Sequence, residues 1–209
     1  MKIDSYELMY DSACTVRKFD ELDFFIKTTN SFQMECECIN CASHKCPKEL
    51  CNSFQCCTRK RAKEGMKGVD ILLQKGDDLY LIEMKDYRKN PSPPTDHIAS
   101  EVAKKFRDSL FVLWCAGIAA EKEDEKRLAD SVRRRPLNLH FVFHYESPMP
   151  AYATGLFSPK SGVLSLSTVS QKLKEKMSFM KEHLRIMNND ALKNNPDLPW
   201  KVKDISPTQ

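Results

Sequence analysis

Two acidic residues and a lysine, placed on either side of a short turn, have the types and spacing needed for metal-dependent chemistry. Asp70 precedes an apolar stretch, the Gly-Asp-Asp turn at 76–78 reverses the chain, and a second apolar stretch leads to Glu83 and Lys85. Because side chains alternate along a strand, Glu83 and Lys85 point to one face and Met84 points to the other. Two converging carboxylates beside an ammonium are what metal-assisted phosphodiester cleavage requires. The spacing therefore predicts a nuclease-like site on a β-hairpin.

The predicted chemistry needs a hard divalent cation. Mg²⁺ is held by few carboxylates and keeps several waters, which leaves positions for the phosphate oxygens of a substrate. The bound ion polarises the phosphoryl group and lowers the pKa of a coordinated water, which becomes the nucleophile. Lys85 has three candidate roles: orienting that water, stabilising charge on the phosphate, or acting as a base if desolvation lowers its pKa. The sequence leaves the choice between these roles open.

An acid followed two positions later by a lysine is also common on solvated strand faces, since 30% of the residues are charged. Three features favour the catalytic interpretation here. Asp70 lies at the start of the partner strand, both strands are otherwise strongly apolar, and a long amphipathic helix follows the hairpin. We therefore expect a nuclease site, with surface charges that do no chemistry as the alternative.

The pattern Asp70 … Glu83-x-Lys85 followed by a helix resembles the PD-(D/E)xK nuclease superfamily. The resemblance implies a restriction-endonuclease-like α/β fold, with a mixed β-sheet flanked by helices, and Mg²⁺- or Mn²⁺-dependent hydrolysis of DNA phosphodiester bonds. By position, it implies that Asp70 and Glu83 are metal ligands, that the main-chain carbonyl of Met84 adds a ligand, and that Lys85 is the catalytic lysine. Val69 stands where the superfamily's name has proline, a position that varies widely among its members.

The resemblance covers residues 64–118 and leaves both ends of the chain outside it. Sites of this kind often take a further carboxylate from the first core helix. Glu21, Glu49 and Glu64 are the candidates in this chain, and their spacing does not choose among them. The alternative for each is a glutamate on a solvated helix surface.

A cysteine-rich segment, residues 36–57, precedes the hairpin. In a chain without an export signal, such a cluster favours metal binding over disulfide bonds. Eight ligands match two tetrahedral zinc sites, whereas one Cys₄ zinc or one iron–sulfur cluster needs four. We expect structural zinc in a small metal-binding insert, with an iron–sulfur cluster or metal-free thiols as alternatives. The candidate ligands are Cys36, Cys38, Cys41, His44, Cys46, Cys51, Cys56 and Cys57.

Basic residues on both sides of the hairpin are candidates for contact with nucleic acid, because lysine and arginine neutralise phosphates. One group lies between the cysteines and the hairpin, and the other lies on the helix that follows it, on the side opposite the apolar stripe. The alternative for both groups is an ordinary solvated surface. The candidates are Arg59, Lys60, Arg61, Lys104 and Lys105.

Hydrophobic spacing predicts the elements around the hairpin. We expect a short helix over 19–29, a helix after the hairpin that is capped by Thr95, a charged helix or loop over 121–135, and a strand over 137–146. The helix after the hairpin carries a buried stripe at helical spacing, made of Ile98, Val102, Phe106, Leu110 and Leu113.

The C-terminal third is predicted to contain an edge strand, a helix and a tail. The edge strand covers 163–169, and the methionine-rich helix that follows extends from Leu173 to Met187 with apolar residues every three or four positions. This helix is core or a surface for a protein partner or a second copy. Residues 188–209 are polar and contain prolines, so we expect a loosely ordered tail apart from Trp200.

Length and composition fit a single domain over residues 1–209. The formal net charge of +4 permits a nucleic-acid partner without requiring one. The chain has no apolar run of about 18 residues, and no hydrophobic signal region follows Met1. We therefore expect a soluble cytoplasmic protein with no membrane segment.

Two other functions fit parts of the sequence. The first is a non-catalytic, zinc-stabilised module that binds nucleic acid or protein, in which Asp70 and Glu83 are only surface charges. The second is a redox sensor with accessible cysteines of low pKa that react reversibly. Convergence of Asp70, Glu83 and Lys85 within a few ångströms would favour the nuclease.

Overall fold

The computed structural model describes residues 1–3, 6–26, 66–88, 93–133, 138–146 and 166–205. The strands in these ranges are β1 (Lys2–Ile3), β2 (Tyr6–Tyr10), β3 (Thr15–Lys18), β4 (Ile71–Lys75), β5 (Asp78–Asp86), β6 (Asn138–Glu146), β7 (Leu184–Met187) and β8 (Trp200–Asp204). The α-helices with described bounds are α1 (Thr95–Ala119), α2 (Glu123–Arg133), α3 (Leu166–Lys176) and α4 (Asn189–Lys193). Short 3-10 helices cover Phe19–Glu21 and Ser178–His183.

A five-stranded mixed sheet with the order β3-β4-β5-β6-β7 forms the centre of the molecule. The first three strands are antiparallel, whereas β6 is parallel to β5 and β7 is parallel to β6. The predicted hairpin is present as β4 and β5, and Gly76 in its turn has a φ of 57°, a conformation that glycine adopts without steric cost. The chain is thus a mixed α/β protein with helices beside a mixed sheet, as the sequence analysis predicts.

Both faces of the sheet are covered, which explains why its strands are apolar on both sides. The face that carries Leu72, Leu81 and Phe143 packs against the helical layer, to which α1 contributes Val102 and Phe106. The opposite face packs against a small antiparallel sheet with the order β1-β2-β8. Residues buried between the two sheets include Ile71, Leu73, Ile82, Val142, Tyr6, Leu8 and Trp200.

The long helix after the hairpin begins one residue earlier than a Thr95 cap would require. Pro94 is the N-cap residue, with φ −53° and ψ 142°, and Thr95 is the first helical residue. The backbone N–H groups of His97 and Ile98 donate to the Pro94 carbonyl at 2.9 and 3.1 Å. The proline ring pre-sets the backbone for helix entry, so the threonine hydroxyl does not cap the helix. The predicted stripe is otherwise confirmed, with Ile98 among its buried residues.

The strand predicted over 163–169 is wrong for the described residues 166–169, and the helix predicted from Leu173 to Met187 is correct only as far as Lys176. Residues 166–169, expected in an edge strand, begin α3, and the expected long helix ends at Lys176. Leu184 to Met187 form β7, which pairs in parallel with the outer edge of β6. Apolar residues three apart fit a helix and a short strand equally well, and the unpaired backbone edge of β6 decides in favour of the strand.

The prediction of a loosely ordered tail is wrong for residues 188–205. Asn188 accepts a hydrogen bond from the Ala191 N–H at 2.8 Å and so caps α4. The strand β8 pairs along β2, and Trp200 is only 2% exposed. Polar composition hides this order, because the partner strand lies at the other end of the chain.

The remaining predictions for secondary structure are close to what the structure shows. The helix expected over 19–29 is a 3-10 turn at 19–21 followed by helical residues 23–26. Glu123–Arg133 of the charged segment form α2, and Asn138–Glu146 of the expected strand form β6. None of the helices that the structure describes combines the length and the apolarity of a membrane span.

Replacing Trp200 with alanine tests the packing of the C-terminal strand. We expect Trp200→Ala to lower the free energy of unfolding by about 3–5 kcal/mol, because a buried aromatic side chain is lost and a cavity remains. Urea denaturation followed by circular dichroism measures this change. The control Phe179→Ala removes an aromatic ring that is 63% exposed, so its effect should stay within about 0.5 kcal/mol. Equal effects of the two substitutions would contradict the packing described here.

Candidate active site

The hairpin places Asp70 beside Glu83. Ile71 is paired with Ile82 in the β4–β5 register, and extending that register by one residue brings Asp70 opposite Glu83. The backbone N–H of Met84 donates a hydrogen bond to Asp70 Oδ2 at 2.8 Å, which fixes the aspartate against the partner strand. The sequence-predicted convergence of the two carboxylates is therefore present in the structure.

Helix α1 holds the segment that leads to Asp70. The backbone N–H of Val69 donates to the hydroxyl oxygen of Ser109 at 2.9 Å, and this serine is fully buried. The backbone N–H of Lys67 donates to Asp108 Oδ2, also at 2.9 Å. Because both acceptors are on one helix, the position of Asp70 depends on the packing of α1 against the sheet.

Glu83 lies on the helix-facing side of β5 and its side chain is 0% exposed. Burial of a carboxylate is costly unless cations and hydrogen-bond donors compensate it. The ammonium of Lys85, on the same face of β5, lies 3.2 Å from Glu83 Oε1. The structure therefore brings together the three residues that the sequence analysis identifies, Asp70, Glu83 and Lys85.

A second lysine completes the cluster. The ammonium of Lys105 lies 2.7 and 2.9 Å from the two carboxylate oxygens of Glu83 and 3.4 Å from Asp70 Oδ1. Its side chain is only 13% exposed, so Lys105 does not lie on the solvated side of α1 where the sequence analysis places it. Lys105 follows the buried Val102 by three residues and precedes the buried Ser109 by four, and this spacing locates it on the buried stripe.

The environment of the cluster changes the pKa of two of its members. Burial, with a further contribution from the Asp70 carboxylate, raises the pKa of Glu83 to about 7, although Lys105 and Lys85 act in the opposite direction. For Lys85, burial favours the neutral amine. The nearby carboxylates of Glu83, Asp70 and Glu101 outweigh burial, so the pKa of Lys85 is raised overall. Lys85 is therefore a charged ammonium at neutral pH.

A carboxylate that the sequence analysis missed lies close to this cluster. Glu101 on α1 is 3.6 Å from the ammonium of Lys67, and its negative charge contributes to the raised pKa of Lys85. Its spacing, one helical turn before Lys105, could have indicated this position. Among the carboxylates proposed from sequence, Glu21 forms a surface ion pair with Lys18 at 3.1 Å. Glu49 and Glu64 lie outside the described residues.

The other predicted site residues divide into two groups. Lys104 forms an ion pair with Asp108 at 2.7 Å, next to the segment that leads to Asp70. All eight candidate ligands in residues 36–57 lie outside the described part of the chain, as do the basic residues Arg59, Lys60 and Arg61. Their roles therefore stay predictions from sequence.

The donor atoms at the hairpin fit a hard divalent cation. Among the residues that the structure describes, no group of three or more His, Cys, Asp and Glu side chains is arranged to hold a metal ion. Mg²⁺, however, is commonly held by one or two carboxylates, with water and phosphate oxygens as its other ligands. The single ammonium of Lys105 contacts both Asp70 and Glu83, so the two carboxylates face one common position.

Comparison with known proteins gives one partial likeness. No family model and no solved structure matches the chain. Over 157 residues the chain is 33% identical to a cysteine–tRNA ligase of Neisseria meningitidis, and the match covers 66% of this chain. The same match covers 21% of the ligase, so the chain corresponds to a minor part of that protein.

The raised pKa of Glu83 predicts a pH-dependent stability. Between about pH 4.5, its ordinary value, and about pH 7, the folded protein binds more protons than the unfolded chain. The free energy of unfolding should therefore fall as the pH rises through this range. Relative to Glu83→Gln, the wild-type protein should lose on the order of 3 kcal/mol between pH 4.5 and pH 8.

Urea denaturation of both proteins at a series of pH values, with EDTA present, measures this difference. Subtracting the glutamine variant removes the contribution of the other titrating groups. A difference that stays constant across the range would contradict the raised pKa of Glu83.

Proposed function

We propose that this chain is a metal-dependent nuclease of the PD-(D/E)xK superfamily that hydrolyses phosphodiester bonds in DNA. The observation that carries the proposal is the convergence of Asp70, Glu83 and Lys85, with Glu83 wholly buried. Apolar residues would stabilise a strand at this position as well as buried charges do. Charges retained at such a cost, with a strongly shifted pKa, are typical of functional sites.

The strand order supports the same proposal. Three antiparallel strands, β3 to β5, are followed by α1 and α2 and then by β6, which is parallel to β5. Asp70 immediately precedes the second of these strands, Glu83 lies on the third, and α1, the helix that follows, covers both. This arrangement agrees with the restriction-endonuclease-like fold that the sequence resemblance implies.

The three site residues identified from sequence each have a role in the proposed reaction. Asp70 and Glu83 would hold Mg²⁺ or Mn²⁺, with the main-chain carbonyl of Met84 as a further ligand. When bound, the ion would supply Lewis acidity towards the phosphate and would acidify water. Lys85 would stabilise the negative charge that develops on the phosphate, because the carboxylates around it keep its ammonium protonated.

Basic residues around the cluster would position the substrate. Lys104 lies one residue before Lys105 on α1, and its ion pair with Asp108 holds it next to the segment that leads to Asp70. Arg59, Lys60 and Arg61 precede the same segment in sequence. We assign contacts with the phosphate backbone to these residues, which would give affinity without sequence specificity.

The proposal includes structural zinc bound by the cysteine-rich residues 36–57, with an iron–sulfur cluster as the alternative. Seven thiols and one imidazole provide enough ligands for two tetrahedral zinc ions. Such sites contribute folding free energy directly and would order a segment whose composition offers little hydrophobic core.

A cleavage assay tests the nuclease. Supercoiled plasmid, linear single-stranded DNA and tRNA are incubated with the protein in Mn²⁺ or in EDTA. The tRNA is included because the partial relative from N. meningitidis is named for that substrate. We expect cleavage of DNA that requires Mn²⁺, and a decrease of at least about a hundredfold in rate for Lys85→Ala and for Asp70→Asn.

Lys75→Ala is the matched control, since Lys75 lies at the opposite end of the same hairpin and pairs with Asp11. This variant should cleave at the wild-type rate. Cleavage that persists in Lys85→Ala and Asp70→Asn would contradict the assignment of the site. Binding without cleavage by every form would favour the non-catalytic nucleic-acid-binding module.

Metal analysis tests the cysteine-rich segment. Protein purified without added metal should contain about one or two zinc ions per chain by plasma mass spectrometry. Replacing Cys36, Cys38 and Cys41 together with serine should remove zinc. The control replaces Cys14 and Cys115, which are free thiols in the described part of the chain, and should retain it. Iron with acid-labile sulfide would indicate the cluster, and the absence of both metals would contradict a metal-binding insert.

A further inference from the structure

The ammonium of Lys105 lies between the carboxylates of Asp70 and Glu83 and contacts both. It contacts both oxygens of Glu83, at 2.7 and 2.9 Å, and Asp70 Oδ1 at 3.4 Å. The contact with Glu83 has the length of a strong charge-assisted hydrogen bond. One cation therefore already contacts both carboxylates that the proposed function assigns to the metal.

A metal ion and the Lys105 ammonium compete for the same oxygen atoms. Both oxygens of Glu83 contact the lysine, so a metal ion that takes the position of the ammonium displaces its N–H groups. Two cations within a few ångströms of each other in a partly desolvated site also repel strongly. The lysine can leave, because its four-carbon stem is flexible and its side chain begins on a separate element, α1.

Lys85 and Lys104 do not occupy the same position. Lys85 contacts a single oxygen of Glu83 and retains partial exposure beside it on β5. Lys104, the neighbour of Lys105 in sequence, pairs with Asp108 instead. Lys105, in contrast, contacts the carboxylates of both Asp70 and Glu83.

We propose that Lys105 is a built-in counterion of the metal site. In the metal-free protein its ammonium holds Asp70 and Glu83 in place and compensates the buried charge of Glu83. When a divalent cation binds, the ammonium withdraws from the two carboxylates. This inference rests on the proposed function, because it takes Asp70 and Glu83 to be the metal ligands.

Mn²⁺ binding tests the proposal without any cleavage. The free Mn²⁺ concentration is followed by electron paramagnetic resonance during titration of the wild-type protein, Lys105→Gln and Lys104→Gln. Removing the competing ammonium should lower the Kd of Lys105→Gln by at least about tenfold. Lys104→Gln should stay within about twofold of wild type. Glu83→Gln identifies the site, since it should lose the Mn²⁺ ion in question.

The outcomes separate the two proposals. A Kd for Lys105→Gln that is equal to or higher than that of the wild-type protein overturns the proposal that Lys105 is a counterion. If the wild-type protein nevertheless binds Mn²⁺ through Glu83 and cleaves DNA, the nuclease stands without it. If Mn²⁺ binds to none of the variants and no substrate is cleaved, both proposals fail.

A measurement on the unaltered protein covers the case in which Lys105→Gln does not fold. Lysines are acylated with a brief pulse of reagent, in Mg²⁺ or in EDTA, and the modified positions are quantified by mass spectrometry. Mg²⁺ should increase the labelling rate of Lys105 severalfold, because its ammonium leaves the carboxylates. Lys75, which is exposed and distant along the hairpin, should label at one rate in both conditions. Unchanged labelling of Lys105 in the protein with bound Mg²⁺ would overturn the proposal.

Discussion

The ion pair between Glu83 and Lys105 is the interaction on which the arrangement of this molecule depends. It joins the central strand β5 to the long helix α1, and the carboxylate it contains has no exposed surface. A buried charge of this kind tolerates no loss of its partners, because the full cost of desolvation would then remain. The helix α1 must therefore keep a fixed position on the sheet, and the apolar residues around the ion pair maintain that position.

Both faces of the central sheet are covered, but only the face that packs against the helices carries the charged cluster. On one face, the small sheet that includes β8 packs through residues such as Trp200 against a surface that is mainly apolar and also carries the buried His144. On the other face, apolar packing continues along β5 until Glu83 and Lys85 replace the hydrophobic residues at its C-terminal end. Asp70 joins them because Ser109 and Asp108 on α1 hold the segment before β4. The carboxylates thus lie at the edge of the hydrophobic core, where low dielectric strengthens every charge–charge interaction.

The features of this chain that bear on function lie in its site, because its likeness to a known protein is partial. A match that covers 21% of a cysteine–tRNA ligase locates a shared segment but transfers no activity. A mixed α/β architecture, likewise, is compatible with many functions. What distinguishes this molecule is a pair of carboxylates bridged by an ammonium, with the pKa of Glu83 raised to about 7.

The sequence by itself determined the hairpin, the face shared by Glu83 and Lys85, and the buried stripe of α1. Alternation along a strand, a glycine turn and helical periodicity are local properties, so they can be read from neighbouring residues. Only the tertiary structure decided that Lys105 joins the carboxylates, that residues 184–187 form a strand, and that Trp200 is buried. Each of these depends on a partner far away along the chain, namely Glu83, the edge of β6 and the strand β2. The ion pair, the strand pairing and the burial of the tryptophan are stabilised by packing and desolvation between distant segments. A pattern among neighbouring residues does not encode these contacts.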